Sequence, residues 1–182
     1  MPDANITKSA LARSMKRLMK SKPFAKISVV DICEGCGMNR KSFYYHFKDK
    51  YDLVNWIFYT DFIEIVSNSS YSDAWELMTS VGELFYRDQD FYRGALRIEG
   101  QNSFQEYFRE SMVPIVGYFL EGVFADEEDE IPEEDRTIFG TFFCDSFLAA
   151  LVRWMDTGCR TEPAEFIGRM RRMITKLAEK LT

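Results

Sequence analysis

The chain has 182 residues, a length that suits one compact unit or two small fused helical domains. A hydrophobic fraction of 46% is enough for a core, and few breakers (10 Gly and 5 Pro) favour an all-helical fold. The sequence shows no run of about 18 apolar residues and no signal-peptide pattern. We therefore expect a cytoplasmic protein without a membrane span, and four cysteines do not indicate a disulfide framework.

Charge is divided unevenly along the chain, whose formal net charge is −6. Residues 1–50 contain 11 Lys and Arg against 4 Asp and Glu, a net of +7. Residues 51–182 contain 12 against 25, a net of −13. A basic head on an acidic body can present phosphate-binding charge at one end only, although chance clustering of surface lysines is the alternative.

The first two predicted helices are amphipathic. Thr7 is a plausible N-cap for a helix that runs to about Lys22, before Pro23. Its buried stripe, at three- and four-residue spacing, is Ala10 or Leu11, Ser14, Met15, Leu18 and Met19. Ser28 then caps a short helix over residues 29–36, where Asp31 can reach back to the cap as in a capping box.

A tight turn and two further caps follow. Gly37 stands where an interhelical turn needs a positive φ. Asn39 caps a third helix from Arg40 to about residue 47, and Asp49 caps a long fourth helix over residues 50–67. A helix, a short turn containing Gly and a second helix form the helix-turn-helix layout.

The third helix, RKSFYYHF, has two different faces. Phe43 and Phe47 are four residues apart and are predicted to face the core. The helix is too short to bury its other aromatic face as well, which disfavours a fully packed helix. The outward face fits the major groove of DNA and comprises Arg40, Lys41, Ser42, Tyr44, Tyr45 and His46.

Residues at helix starts are the other candidate DNA contacts. Arg40 and Lys41 begin the third helix, where side chains meet base edges, although basic solvation of the surface is the alternative. Lys50 follows the Asp49 cap, and its charge and the helix N-terminus both favour a phosphate. Lys48 is a weaker candidate, and Ser28 could offer the second helix's N-terminus to the DNA backbone.

The stretch ISVVDICEGCGMNRKSFYYHFKDKYDL resembles the TetR family of regulators, over about residues 6–60. Ser28 and Cys36 stand where Thr and Ala are commoner in that family. The resemblance implies that Tyr44 lies near base edges and that Tyr45 and His46 contact phosphates. Ser42 aligns with a further phosphate contact of the family.

The rest of the chain is predicted to be a helical regulatory and dimerisation domain over residues 51–182, following a DNA-binding domain over residues 1–50. Candidate helices are 72–86, 88–99, 103–124, 134–157 and 163–181, and 51–67 is the linking helix. Aromatic residues could line an effector pocket here or form plain core. The last two helices resemble a TetR subgroup that includes dihydroxyacetone-kinase regulators, and this implies that they pair with their mates in a homodimer.

Catalytic and metal chemistry is not indicated. His46 is the only histidine, and no nucleophile motif is recognisable, so an enzyme is disfavoured and no cofactor is expected. Cys33 and Cys36 match half of a zinc pattern without a second pair. The acidic residues of 126–135 could hold a divalent cation, but such a run is usually a solvated loop.

The sequence therefore predicts a DNA-binding transcription regulator, a repressor released from a near-palindromic operator by an effector. Activation, or control by a protein partner, is the alternative on the same fold. An interaction module whose aromatic surface binds another protein is the second rival.

Overall fold

The computed structural model describes residues 2–68, 71–100, 103–123 and 132–181, and over these ranges it contains helices and no strands. This confirms the all-α fold. The helices are α1 (Pro2–Met19), α2 (Val29–Glu34), α3 (Arg40–His46), α4 (Lys50–Asn68), α5 (Ala74–Arg87), α6 (Gln89–Ala95), α7 (Phe104–Val123), α8 (Glu133–Asp156) and α9 (Pro163–Leu181), with a one-turn 3-10 helix at Phe24–Lys26.

The chain forms two compact units. Residues 1–63 and 89–107 make up the first unit, and residues 64–88 and 108–182 make up the second. The first unit thus contains the predicted head, the start of the long fourth helix and α6. Of the predicted acidic loop 126–135, residues 126–131 lie outside the described residues.

In the first unit, α1 packs against α2, α3 and α6. Leu11 and Met15 are fully buried on its inner face. The buried hydroxyl of Ser14 donates a hydrogen bond of 2.8 Å to the carbonyl of Ile32 in α2. Because a buried polar group is costly when unpaired, this bond fixes α1 against the helix-turn-helix.

The predicted start and end of α1 are wrong by several residues. The helix already begins at Pro2, so Thr7 lies inside it rather than at its cap. Proline is well suited to a first helical position because its φ is preset and the missing N–H has no helical partner there. At the other end α1 stops at Met19, and the carbonyl of Leu18 accepts hydrogen bonds from the amides of Ser21 and Lys22.

The predicted caps of the helix-turn-helix are confirmed. The Ser28 hydroxyl accepts a bond from the Asp31 amide (3.1 Å), and the Asp31 carboxylate accepts one from the Ser28 amide (2.7 Å), which completes a capping box. Gly37 has a φ of +69°. Asn39 accepts a bond of 2.9 Å from the amide of Ser42 and so starts α3.

The second unit is built around α5 and α9, which make an extensive contact. Gly82 of α5 lies at this contact, where a Cβ would meet Pro163 at an ordinary van der Waals distance of 3.5 Å. Asp73 rather than Ser72 caps α5, accepting bonds from the amides of Trp75 and Glu76. The predicted start at residue 72 is therefore two residues early.

The helix α8 is long and apolar enough to span a membrane by length and composition, and it alone meets that test among the described residues. One such helix is weak evidence, since the core helix of a soluble protein passes the same test. Several residues of α8 are buried within the second unit: Gly140, Cys144, Phe147, Leu148, Leu151, Trp154 and Met155.

Candidate nucleic-acid interface

The two faces of α3 are separated as the sequence predicts. Phe43 is fully buried and Phe47 is 3% exposed, and their ring centroids lie 5.7 Å apart. On the opposite face Tyr44 is 50% exposed and Tyr45 is 82% exposed. Since burial of the phenylalanines anchors the helix in the first unit, the tyrosines are held outward on a rigid element rather than on a loop.

Ring contacts order the outward face of α3. Tyr44 packs edge-on against Phe43, with 5.4 Å between ring centroids, and the guanidinium carbon of Arg40 lies 5.7 Å from the Tyr44 ring centroid. The ring of His46 lies 4.9 Å from that of Tyr45 in a T-shaped arrangement. These contacts limit side-chain freedom, so binding a groove costs less conformational entropy.

Two further candidates on α3 are placed near its start. Lys41 is exposed, whereas Ser42 is half-buried. The hydroxyl of Ser42 lies 3.3 Å from the Asn39 side-chain oxygen and donates to it. Ser42 therefore stabilises the start of α3, and its hydroxyl oxygen can still accept a hydrogen bond.

Ser28 is exposed and engaged in the cap of α2. Its hydroxyl donates a bond of 2.6 Å to the Asp31 carboxylate, which also lies 3.0 Å from the Lys22 ammonium. Bonds from the Ser28 hydroxyl and amide, with help from Lys22, hold the pKa of the Asp31 carboxyl well below its ordinary value. The carboxylate beside the start of α2 is thus paired with Lys22, and the Ser28 hydroxyl is engaged within the cap.

The sequence predicts that the ammonium of Lys50 contacts a phosphate, but in the structure this ammonium is bound within the protein. The ammonium donates hydrogen bonds to the carbonyls of Phe24 (2.9 Å), Ala25 (3.3 Å) and Ile27 (2.8 Å). It also lies 4.4 Å from the Phe24 ring centroid. An ammonium has three N–H donors, so all are engaged within the protein. Burial accordingly lowers the pKa of Lys50 below its ordinary value.

The contacts of Lys50 depend on the 3-10 helix at Phe24–Lys26, which was not predicted from the sequence. A short 3-10 helix leaves carbonyls without helical donors at its end, and a lysine is a common partner for them. Asp49 does cap α4 as predicted, accepting bonds from the amides of Tyr51 (2.8 Å) and Asp52 (2.9 Å). Lys48 is exposed beside this cap.

Cys33 and Cys36 lie on and just after α2 as free thiols. Burial raises the pKa of both thiols above their ordinary value. The thiol of Cys36 lies 3.4 Å from the carbonyl of Ile32. Both residues therefore act as small packing residues in the neutral form.

An anchored helix that follows a capped helix and a glycine turn, and that displays arginine, lysine and two tyrosines, defines a helix-turn-helix DNA-binding protein. Comparison with known families identifies it further. The model for bacterial regulatory proteins of the tetR family matches residues 14–57, and that for a transcriptional regulator C-terminal region matches residues 73–176. The second match spans more than half of the chain. The chain therefore belongs to the TetR family, and it is a DNA-binding transcription regulator rather than an enzyme.

Two curated relatives share part of the sequence. The chain is 34% identical over 76 residues to the HTH-type dhaKLM operon transcriptional activator DhaS of Lactococcus lactis subsp. lactis (strain IL1403), an alignment covering 42% of this chain and 41% of DhaS. It is 37% identical over 49 residues to the HTH-type transcriptional regulator EthR of Mycolicibacterium smegmatis (strain ATCC 700084 / mc(2)155), covering 27% and 23%. The chain thus spans less than half the length of these curated relatives.

Solved structures share the fold over nearly the whole chain. The dihydroxyacetone kinase operon activator DhaS superposes with a TM-score of 0.71 at 19% identity, covering 94% of this chain and 96% of DhaS. The fatty acid degradation regulator FadR from Bacillus halodurans gives 0.69 at 12% identity, covering 92% and 93%. NalD, the secondary repressor of the MexAB-OprM multidrug efflux pump in Pseudomonas aeruginosa, gives 0.66 at 16% identity, covering 94% and 97%. At these identities the likeness shows the fold alone.

Proposed function

We propose that the chain binds a near-palindromic operator as a homodimer in the cytoplasm, with α3 in the major groove. The observation that carries this proposal is the division of α3 into a buried Phe43 and Phe47 face and an exposed Tyr44 and Tyr45 face. A basic head favours phosphate through counterion release, and an acidic body keeps the remaining surface away from DNA.

Within this proposal, the position of a residue on α3 determines whether it contacts base edges or phosphates. Arg40 and Lys41, at the start of the helix, contact base edges, where a bidentate arginine prefers guanine. Tyr44 lies on the same side of α3, one helical turn after Arg40. The phosphate contacts come from Ser42, Tyr45 and His46. Ser28 offers the N-terminus of α2 to the DNA backbone. Lys50 is left out as a direct contact, because its donors are engaged by carbonyls.

The homodimer is proposed to form through α8 and α9. On α9, Met173 is 68% exposed and Leu177 is 60% exposed, and on α8 Phe142 is 64% exposed. Large exposed apolar surfaces of this kind mark interaction sites, and a twofold axis would place the same patch on both copies. Two heads separated by about one turn of DNA, roughly 34–36 Å, then read the two half-sites.

An effector pocket is proposed in the second unit. A cavity of about 730 Å³ is lined by aromatic side chains that include Trp75, Phe119 and Phe143. This volume is in the range of small-molecule sites, and apolar walls favour an apolar ligand. A ligand that binds one conformation of the body better than another shifts the population that can bind the operator.

Repression is the proposed outcome of operator binding, because a bound dimer blocks access to the promoter. Activation is the second candidate. The specific observation in its favour is that the relative 34% identical over 76 residues is named a transcriptional activator.

The test begins with selection of duplex DNA from a random pool by the full chain. We expect enrichment of a near-palindrome, and we expect Tyr44→Ala and Tyr45→Ala to weaken its binding at least about tenfold, as loss of a good contact costs roughly 1–3 kcal/mol. Arg40→Ala should relax the preference at one position of each half-site.

Tyr59→Ala is the matched control, since Tyr59 is 51% exposed, much like Tyr44, but lies on α4 rather than on α3. It should bind the selected DNA as the unaltered chain does. Unchanged affinity and selectivity in all three α3 variants would refute the assignment of α3 as the reading helix.

A further inference from the structure

Two cavities lie side by side in the second unit and share a wall. The larger, of about 730 Å³, is the proposed effector pocket, and the smaller has a volume of about 380 Å³. Trp75 of α5, Phe143 of α8 and Ile174 of α9 line both cavities. The rings of Trp75 and Phe143 meet edge-on, with 5.8 Å between their centroids. The wall between the cavities therefore consists of side chains from three helices.

The side chains of this wall have room to move. Trp75 and Phe143 are half-buried, and Ile174 is 48% exposed. By contrast Met78, which lines the smaller cavity, is 1% exposed. A partly exposed side chain can change rotamer without opening a packed core, because close packing restrains it on one side alone. A ligand can therefore displace the wall while the helices stay in place, and the two cavities then form one elongated site.

Among the residues that the structure describes, the smaller cavity is lined by no charged side chain. Apart from Ser146, its lining residues are aromatic, methionine or isoleucine. Of the described residues that line the larger cavity, Asp73 carries the charge. One oxygen of its carboxylate accepts bonds from the amides of Trp75 and Glu76, and the other lies 2.9 Å from the Arg171 guanidinium. A charged ligand would lose its hydration without gaining an ion partner, so these walls favour a neutral ligand.

Two hydroxyl groups indicate where the polar end of such a ligand lies. Ser72 and Tyr118 line the larger cavity, and both are exposed. The hydroxyl of Tyr71, which also lines it, donates a bond of 3.2 Å to the carbonyl of Ile65. A neutral polar group on the ligand can exchange hydrogen bonds with the hydroxyls of Ser72 and Tyr118 while its hydrocarbon part extends toward the smaller cavity.

We propose that the effector pocket binds an unbranched, uncharged hydrocarbon chain with one neutral polar end, such as a fatty alcohol, and that this chain occupies both cavities at once. The proposal rests on the proposed function and names the class of its ligand. Each volume is within the range of small-molecule sites. An unbranched chain is narrow enough to pass a displaced ring, whereas a compact molecule with the same number of carbon atoms fills one cavity alone.

The smaller cavity also connects the ligand with the proposed dimer face. Phe142 and Met173 line this cavity, and their large exposed surfaces are part of the face where two copies are proposed to meet. A chain that reaches them changes the apolar surface available to the second copy. Binding of the ligand is thereby linked to the arrangement of the dimer.

The test is isothermal titration of the full chain with 1-decanol, 1-adamantanol and decanoate. We expect saturable binding of decanol at one site per chain. Adamantanol, a compact cage with the same number of carbon atoms, should bind at least about tenfold more weakly because it buries less apolar surface. Decanoate should also bind at least about tenfold more weakly, because its charge has no partner in either cavity.

Ser146→Trp fills the smaller cavity from an exposed position on α8. It should weaken decanol binding at least about tenfold, since each methylene kept in water costs roughly fourfold in affinity. Binding of 1-hexanol, which fits the larger cavity alone, should be unchanged. Ala149→Trp is the matched control, because residue 149 is exposed on the same helix and is not among the residues lining either cavity.

Trp75 supplies a spectroscopic signal from the shared wall. Decanol should change the tryptophan emission of the chain, because the ligand displaces this ring. Trp75→Phe should remove most of that change and retain decanol binding. Trp56→Phe is the control and should keep the change, since Trp56 lies in the first unit.

Three results would overturn the proposal. The first is an absence of saturable decanol binding up to its solubility limit. The second is equal affinity for decanol and adamantanol, which would limit the site to one cavity. The third is unchanged decanol affinity in Ser146→Trp together with an altered molar mass, which would assign the smaller cavity to a side chain of the second copy. Operator binding is measured without ligand, so each of these results leaves the assignment of α3 intact.

Discussion

At the scale of single residues, Lys50 shows why a charge beside a helix start is ambiguous. Its position after the Asp49 cap is typical of a phosphate contact. The same position also brings the ammonium within reach of the carbonyls of Phe24 and Ile27, which lie 26 and 23 residues earlier in the chain. Sequence spacing cannot distinguish these outcomes, because the second depends on the packing of the 3-10 helix against α4.

Lys50→Met should therefore lower the free energy of unfolding and have little direct effect on the affinity for DNA. Methionine keeps most of the stem but removes the donors of three carbonyls, and the loss of such bonds is expected to cost about 1–3 kcal/mol of unfolding free energy. Denaturant unfolding measures this. Lys48→Met, on an exposed neighbour, should change stability by less than about 0.5 kcal/mol. Unchanged stability of Lys50→Met together with weaker DNA binding would restore the phosphate role.

At the scale of helices, the caps and the turn of the helix-turn-helix were predictable from local chemistry, whereas the starts of α1 and α5 and the end of α6 were not. The caps at Ser28 and Asn39 and the turn at Gly37 each depend on residues within four positions, and all are as predicted. The outward face of α3 followed from the burial of Phe43 and Phe47 in the same way. The end of α6 did not follow, since it stops at residue 95 rather than 99.

Long-range polar contacts in the first unit were also beyond prediction from sequence. The carboxylate of Asp61 in α4 accepts a bond of 2.8 Å from Lys16 of α1 and one of 2.9 Å from the hydroxyl of Tyr92 in α6. Tyr92 is fully buried, so its hydroxyl needs such a partner. No sequence pattern indicates that an aspartate, a lysine and a tyrosine on three different helices come together.

The exposed apolar face of α9 leads to a prediction about assembly. Met173→Glu/Leu177→Glu places two charges at positions that are 68% and 60% exposed, where the fold itself is little affected but a partner helix would bury them. We expect the molar mass measured by light scattering to fall from that of a dimer to that of a monomer, because burial of unpaired charge is costly. Binding to the selected near-palindrome should weaken in parallel.

Arg172→Glu serves as the matched control on α9. It changes the net charge by the same two units, and at 100° per residue position 172 lies about 100° and about 140° around the helix from residues 173 and 177. This variant should remain dimeric. A dimeric Met173→Glu/Leu177→Glu protein would place the interface elsewhere.

At the scale of the whole molecule, the division of charge explains how an acidic protein can bind DNA. The net charge of +7 in residues 1–50 attracts phosphate, and the net charge of −13 in the rest opposes contact by any other surface. The overall net charge of −6 is the sum of a basic segment that attracts DNA and an acidic segment that repels it. A single net charge would have predicted the wrong class of partner.

This division predicts a steep dependence of DNA affinity on salt. Each neutralised phosphate contributes about −0.9 to the slope of log K against log salt, so a dimer with several contacts on each head should lose roughly 10³-fold or more in affinity between 50 and 200 mM salt. Because Lys41 is proposed to contact base edges, Lys41→Gln should lower the selectivity for the operator, whereas a slope less negative by roughly 2 would assign Lys41 to one phosphate in each protomer instead. Lys180→Gln, at an exposed position at the end of α9, should leave the slope unchanged. Fluorescence anisotropy with labelled duplex across this salt range distinguishes these outcomes, and an affinity insensitive to salt would show that the basic head does not contact the DNA backbone.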